Sequence, residues 1–333
     1  MRKHYIAVDW SQRNMAIARM SDSSSKVHVI DVPSSVKELQ LYLSRLQGEK
    51  ILTFEESNPS QWLYTELRDF VDKLVVCDPY RNRLLSDGPK TDKIDATKLC
   101  QLLKADLLKG VFHSGDQFIL LRRLVSGYTD VVKSGVRLLN QRTAIFRSNG
   151  TTAKGENPPH AIDQFVLEGL NVGIERYSEE KKRYEKKFKE TAKQYANVRL
   201  LTSLPGIAEI NAVKILAIVV DPRRFPSSGH FLSYCGLIRL DKISGGKSYG
   251  FRKPRYCRAL KAVFKNAALG AIKDEKHPAL KEYYLYLMAQ KQYSESQARN
   301  AVARRLAILT LGILKSGEKF ESSRRKQNVT VQP

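Results

Sequence analysis

The chain has 333 residues, 42% of them hydrophobic, enough to build two or three domains with proper cores. Its 57 Lys+Arg against 34 Asp+Glu leave a formal net charge of +23, a self-repelling excess that points to a polyanionic partner, nucleic acid above all. Excluded are a membrane-spanning protein, since no apolar run approaches the roughly 20 residues a helical span needs, and a zinc or disulfide framework, since Cys77, Cys100, Cys235 and Cys257 are scattered without suitable spacing.

The first hundred residues alternate between strand and helix signals. HYIAVDW (4–10), NMAIARMS (14–21) and KVHVIDVP (26–33) read as three short strands joined by polar turns. A helix follows from Ser34, then a strand at 50–55. A second helix starts behind Ser57-Asn58-Pro59, where a capping residue precedes a proline of the first turn. A strand runs to Asp78, and a helix carrying Asp92 and Asp95 comes after Gly88-Pro89. Three strands, helix, strand, helix, strand, helix is the order of an RNase H-like α/β domain.

From about residue 116 to 147 the pattern turns helical. Phe118, Leu121, Val125, Tyr128, Val132, Val136 and Leu139 recur every three or four residues and predict one apolar stripe. A polar linker, TTAKGENPP, separates this from a second helix over about 160–197. That helix carries Ile174, Tyr177, Tyr184, Phe188 and Tyr195 at coiled-coil-like spacing among many Glu and Lys. The two are expected to form an antiparallel pair or an oligomerisation stalk. Next, Leu204-Pro205-Gly206-Ile207 precedes a helix near Ala208. This reads either as a helix-hairpin-helix turn offering backbone N–H groups to a phosphate or as an ordinary Pro-Gly turn. SGGKSYGFRKPRYCR (244–258) reads as a glycine-rich basic loop, followed by helices at roughly 255–272, 275–290 and 295–315 and a basic tail.

The acids carry the chemistry. Asp9 ends the first strand and Glu55 ends the strand after the first crossover helix, with Glu56 as its alternative. Asp92 and Asp95, three apart, share one helix face. In an RNase H-like sheet these positions converge at one end of the central strands. Four converging carboxylates repel one another unless divalent cations neutralise them, and Mg²⁺ or Mn²⁺ suits such oxygen ligands. Two such ions are suited to phosphodiester chemistry.

Three passages, IAVDWSQ around Asp9, FEES around Glu55 and PKTDKIDATKL around Asp92 and Asp95, resemble the Piv-type DEDD transposases of bacterial insertion sequences, the bridge-RNA-guided recombinases. LLTSLPGI and FLSYCGLIRLDKISGGKS resemble that family's second domain. The resemblance implies a RuvC-like domain at 1–112 bearing Asp9, Glu55, Asp92 and Asp95 as a Mg²⁺-binding tetrad, and a helical coiled-coil connector at 113–198. It further implies a mostly α transposase domain at 199–320 and a basic tail at 321–333. It maps a serine nucleophile to Ser244, with Ser248 as competitor. The implied partners are donor and target DNA, a structured guide RNA and further copies of the chain in a dimer or tetramer, one protomer's acids working with another's serine. The implied location is the bacterial cytoplasm, at the nucleoid, in keeping with an N-terminus that runs straight into a strand without a signal peptide.

Gly245 and Gly246 would let backbone approach a phosphate, and Lys247, Arg252, Lys253 and Arg255 would hold its charge, with Gly206 as a further nucleic-acid contact. Two other readings stay open: a RuvC-like nuclease that hydrolyses with water, and a non-catalytic nucleic-acid-binding protein whose acids are structural.

Overall fold

The computed structural model describes residues 2–82, 91–113, 118–151, 157–252 and 254–321. The chain divides into two compact units, Met1–Asp116 and Gln117–Pro333.

The first unit is a five-stranded sheet in the order β3-β2-β1-β4-β5. Strands β1 (Lys3–Trp10), β2 (Asn14–Ser21) and β3 (His28–Pro33) pair antiparallel, while β4 (Glu49–Glu55) and β5 (Lys73–Cys77) run parallel to β1. The period-2 alternation of these segments puts different chemistry on the two faces. Ile6, Val8, Leu52 and Phe54 meet Leu39 and Leu43 of helix α1 (Val36–Ser44) and Leu63 and Leu67 of helix α2 (Ser60–Leu67). The opposite face is paved with small residues, Ala7, Ala16 and Ala18, against Ala96, Leu99 and Cys100. These last three belong to helix α4 (Asp92–Lys104), which follows the short helix α3 (Pro79–Asn82). Strand order, mixed pairing and helices on both faces are compatible with an RNase H-like domain.

The end of α4 farther from its acids is clipped in place. The Cys100 thiol donates to the Tyr5 carbonyl at 3.2 Å, and the Lys104 ammonium donates to the carbonyls of Ser21, Asp22 and Ser24 at 2.9, 3.3 and 2.8 Å. One local expectation is corrected in α2. Pro59 itself occupies the N-cap and no side chain caps the helix. The buried Ser60 hydroxyl instead donates to the Glu55 carbonyl at 3.1 Å and accepts from Ser57 N–H.

The second unit begins with the expected antiparallel pair, α5 (Ile119–Ser148) and α6 (Ala161–Ala192). Its pairing runs in opposite senses: Gly127 faces Tyr184, Gly135 faces Tyr177, and Asn149 donates to Asp163 at 3.1 Å. The predicted stripe holds at Leu121, Val125 and Tyr128 but drifts at its far end. There Gly135 is the buried position, taking the Tyr177 ring, and Val136 is exposed. The base of the pair enters the unit's main core, where Tyr128 meets Phe188 edge-on at 5.2 Å.

That core is completed by α7 (Ala196–Leu201), α8 (Glu209–Val219), α9 (Ser228–Tyr234), α10 (Arg258–Ile272) and α12 (Glu295–Ser316), with α11 (Ala279–Ala289) between the last two. The stretch read as a glycine-rich loop is in fact a β-hairpin, β6 (Leu240–Ser244) and β7 (Lys247–Arg252). Gly245 and Gly246 have φ of +56° and +75°, the two positive values that a two-residue hairpin turn of the mirror-image type I demands. No helix among the described residues is long and apolar enough to cross a membrane.

Candidate active site: four carboxylates and a serine hairpin

The sheet register brings the first two acids together. Val8 pairs with Phe54 across the parallel β1–β4 ladder, so Asp9 and Glu55 are the next rung. Both alternate onto the alanine-paved face, where α4 lies. On α4, Cys100 is anchored beside Tyr5 and Ala96 packs a turn earlier, which brings the helix N-terminus to the level of Asp9. Thr91 caps that terminus by accepting from Ile94 N–H at 3.3 Å, and Asp92 and Asp95 occupy its first turn, where the helix dipole favours negative charge.

Asp9 feels the other three acids. The Asp9 carboxyl is pushed up from its ordinary 3.8 to about 6, first by partial burial and then by the negative charges of Asp92, Asp95 and Glu55. Glu56, the sequence alternative, is committed elsewhere. It bonds the buried His113 ring at 2.5 Å, His113 reaches Gln61 at 3.2 Å on its other nitrogen, and Tyr64 stacks on the ring. Nothing in the sequence marked His113, which stands 57 residues from Glu56.

The donor set fits a hard divalent cation, being all carboxylate oxygen. The negative charge of the other three acids, which adds to burial in raising Asp9, is what such a cation would offset. Among the described residues, no three His, Cys, Asp or Glu side chains stand close enough together to hold an ion in this conformation.

A stability prediction follows. A carboxyl raised to about 6 in the folded chain contributes stability that is full below 3.8 and lost as pH rises through 6. At pH 7 without metal, ionised Asp9 therefore destabilises the fold, by about 1 kcal/mol after screening at this half-open site. Asp9→Asn should raise the melting temperature in EDTA by a few degrees at pH 7 and by nothing at pH 3.5, read by thermal denaturation.

In the second unit, Ser244 closes β6 and pairs with Lys247 across the turn, so the two side chains share a face of the hairpin. Ser248 pairs with Ile243 on the opposite face. Ser244, Lys247, Ser248 and Arg252 are all exposed, as is Arg255 just beyond; Lys253 lies outside the described residues. Gly206 has a packing role. Its φ is +78°, and a Cβ there would run into the Ala267 carbonyl of α10, so close helix approach demands glycine at this turn.

Two family models match the chain. One, described as Transposase and built on the DEDD transposases of IS110 elements, spans residues 6–148 and takes in all four acids. The other, described as Transposase IS116/IS110/IS902 family, spans residues 198–285 and takes in Gly206 and the serine hairpin. The class is that of the DEDD transposases. Both matches converge on one family, and the chain belongs to the IS110 family of transposases. It is similar to the "Insertion element IS110 uncharacterized 43.6 kDa protein" of Streptomyces coelicolor (strain ATCC BAA-471 / A3(2) / M145), with 32% identity over 124 residues, 37% of this chain and 30% of that protein. The aligned stretch thus spans less than a third of that relative.

Proposed function

We propose that this chain is a DNA recombinase that cuts and rejoins strands through the Asp9, Glu55, Asp92 and Asp95 carboxylates working with Ser244. The observation that carries the reading is the parallel β1–β4 register, which makes Asp9 and Glu55 neighbours, while the first turn of α4 brings Asp92 and Asp95 near enough for their charge to reach Asp9. Asp9, Glu55, Asp92 and Asp95 would hold a divalent cation, Mg²⁺ or Mn²⁺, which when bound supplies charge neutralisation at the scissile phosphate. The Ser244 Oγ attacks phosphorus, a P–O ester forms, and the bond to the leaving deoxyribose oxygen breaks, that oxygen taking up a proton. The strand to be joined then reverses the same link with its own hydroxyl, conserving the phosphodiester energy. Lys247, the cross-strand neighbour of Ser244, supports this choice over Ser248, because its ammonium offsets charge developing at the phosphate. Arg252, Lys253 and Arg255 would track the strand beyond.

The partners that go with this reading are donor and target DNA, a structured guide RNA and further copies of the chain. The net charge of +23 is consistent with the nucleic acids. The test uses the gene with its native flanking DNA in cells, scored by PCR for excised circle junctions. Wild type should form junctions, Asp92→Ala and Ser244→Ala should form none, and Ser248→Ala should resemble wild type. Junctions surviving Ser244→Ala but lost in Ser248→Ala would move the nucleophile. Cutting without rejoining, indifferent to both serines, would make the chain a hydrolytic nuclease.

A further inference from the structure

At the root of the serine hairpin, the segment entering β6 and the segment leaving β7 meet α10, α12 and the turn between α11 and α12 around a pocket of about 710 Å³. Arg239, Lys261, Lys265 and Arg304 line it, and no acidic side chain does so among the described residues. Arg239, Lys265 and Arg304 have no hydrogen-bond or ion-pair partner among the described residues either. Four cations around one concavity repel each other and focus a positive field inside it, so the pocket is built for an anion.

The rest of the lining says which kind. Two tyrosines, Tyr256 and Tyr293, belong to the wall. Tyr256 is a fixed platform. Its ring sits directly on Gly236, whose φ is +66° and where any Cβ would strike the ring, and the Lys261 ammonium lies over it at 4.4 Å from the centroid. Tyr293 follows Gln292, which holds a positive φ of 51° and turns the chain sharply before α12. Gln297, Asn300 and Arg304 fall at i, i+3 and i+7 on α12 and present one polar face to the pocket. Gln297 spends its side-chain oxygen on the Ser294 N–H in the capping box at 2.8 Å, so its amide nitrogen is the group it offers. Aromatic faces, amide groups and unneutralised cations in a space of ligand size match a base and its phosphate, not a bare anion.

We propose that this pocket holds one unpaired nucleotide of a strand whose scissile phosphate lies at the hairpin tip, a reading that rests on the nucleic-acid function proposed above. A base still stacked in a duplex offers no face to a tyrosine, so the nucleotide is one drawn out of a helix or already single-stranded. Arg239 and Ser244 are five residues apart, roughly 16 Å along an extended strand. At about 3.4 Å per stacked nucleotide, the captured base sits some four or five positions from the phosphate that Ser244 addresses. The strand would be DNA or RNA, which share this chemistry.

The experiment measures binding of the full chain in EDTA to 2-aminopurine-labelled single-stranded DNA, single-stranded RNA and duplex DNA of equal length, by anisotropy and base fluorescence. Tyr293→Leu keeps every charge; it should weaken binding of one or both single strands about 10-fold, abolish the 2-aminopurine quench and leave the salt dependence and duplex affinity unchanged. The Lys265→Gln/Arg304→Gln double variant should lower the slope of log K against log salt by about 1.4 for single strands. Whichever strand type responds is the source of the nucleotide. If Tyr293→Leu changes neither single strand, weakens duplex equally, or if polyglutamate competes as well as the oligonucleotides, the proposal falls. Circular dichroism melts establish that both variants fold. Should wild type form no circle junctions while Tyr293→Leu still loses single-strand binding, the recombinase reading fails and the nucleotide pocket stands.

Discussion

Gly206→Ala should unfold much of the second unit or leave it near the edge of stability. Two costs add there. A residue with a Cβ held at a φ of +78° is strained by about 1–2 kcal/mol. The Cβ would also be forced against the Ala267 carbonyl and the Ala271 N–H of α10, backbone atoms that no rotamer change can move, adding about 1–3 kcal/mol of overpacking. Gly270, on the same helix, shows how close the approach is, since a Cβ built there would stand 3.1 Å from the Gly206 Cα. A loss of about 2–5 kcal/mol is a large share of a typical domain's stability. Chemical denaturation of the second unit, followed by circular dichroism, should show its midpoint collapse. A variant that melts like wild type and loses only DNA affinity would return Gly206 to a phosphate-binding role.

The second large effect separates two adjacent glutamates. Glu55→Gln should lower junction formation on the order of 10³-fold, as expected when several kcal/mol of charge stabilisation at the phosphate are lost. Glu56→Gln keeps a hydrogen bond to His113 and should stay within about threefold of wild type. Glu56→Ala, which strips the buried His113 of that partner, should cost about 1 kcal/mol of stability without matching the Glu55 loss. The readouts are the circle-junction PCR and a thermal melt of each protein. Equal loss of junctions in Glu55→Gln and Glu56→Gln would remove the distinction. In the same melts, Mg²⁺ should raise the transition of wild type and lose that effect in Asp9→Asn.

The strands of the first unit, and the placing of Asp9 and Glu55 at strand ends, are legible because their signals are local. Alternation marks each strand, and Asp9 and Glu55 stand at strand ends. Once β1 and β4 pair in parallel, those two acids must be neighbours. What the sequence hid was non-local or ambiguous. His113 reaches Glu56 from 57 residues away, and a single histidine carries no spacing signal. The hairpin reads as a loop because its glycines, lysines and arginines resemble one, although Gly245-Gly246 between Ser244 and Lys247 is a two-residue turn signal. Alternation alone would also have misassigned its faces, because the register shifts between Asp241 and Ile243. Pro205-Gly206 was recognised as a turn, but the reason for its glycine lies in α10, more than fifty residues later.

The clip that Cys100 and Lys104 form on the sheet turns α4 into a ruler. Each residue of an α-helix advances about 1.5 Å and rotates about 100°, so the distance and phase of Asp92 and Asp95 are counted from those two anchors. Losing one residue between Asp95 and Cys100 would pull both acids back and swing them around the axis, away from the Asp9 rung. Exposed positions of this helix are free to drift in identity. Its length is not.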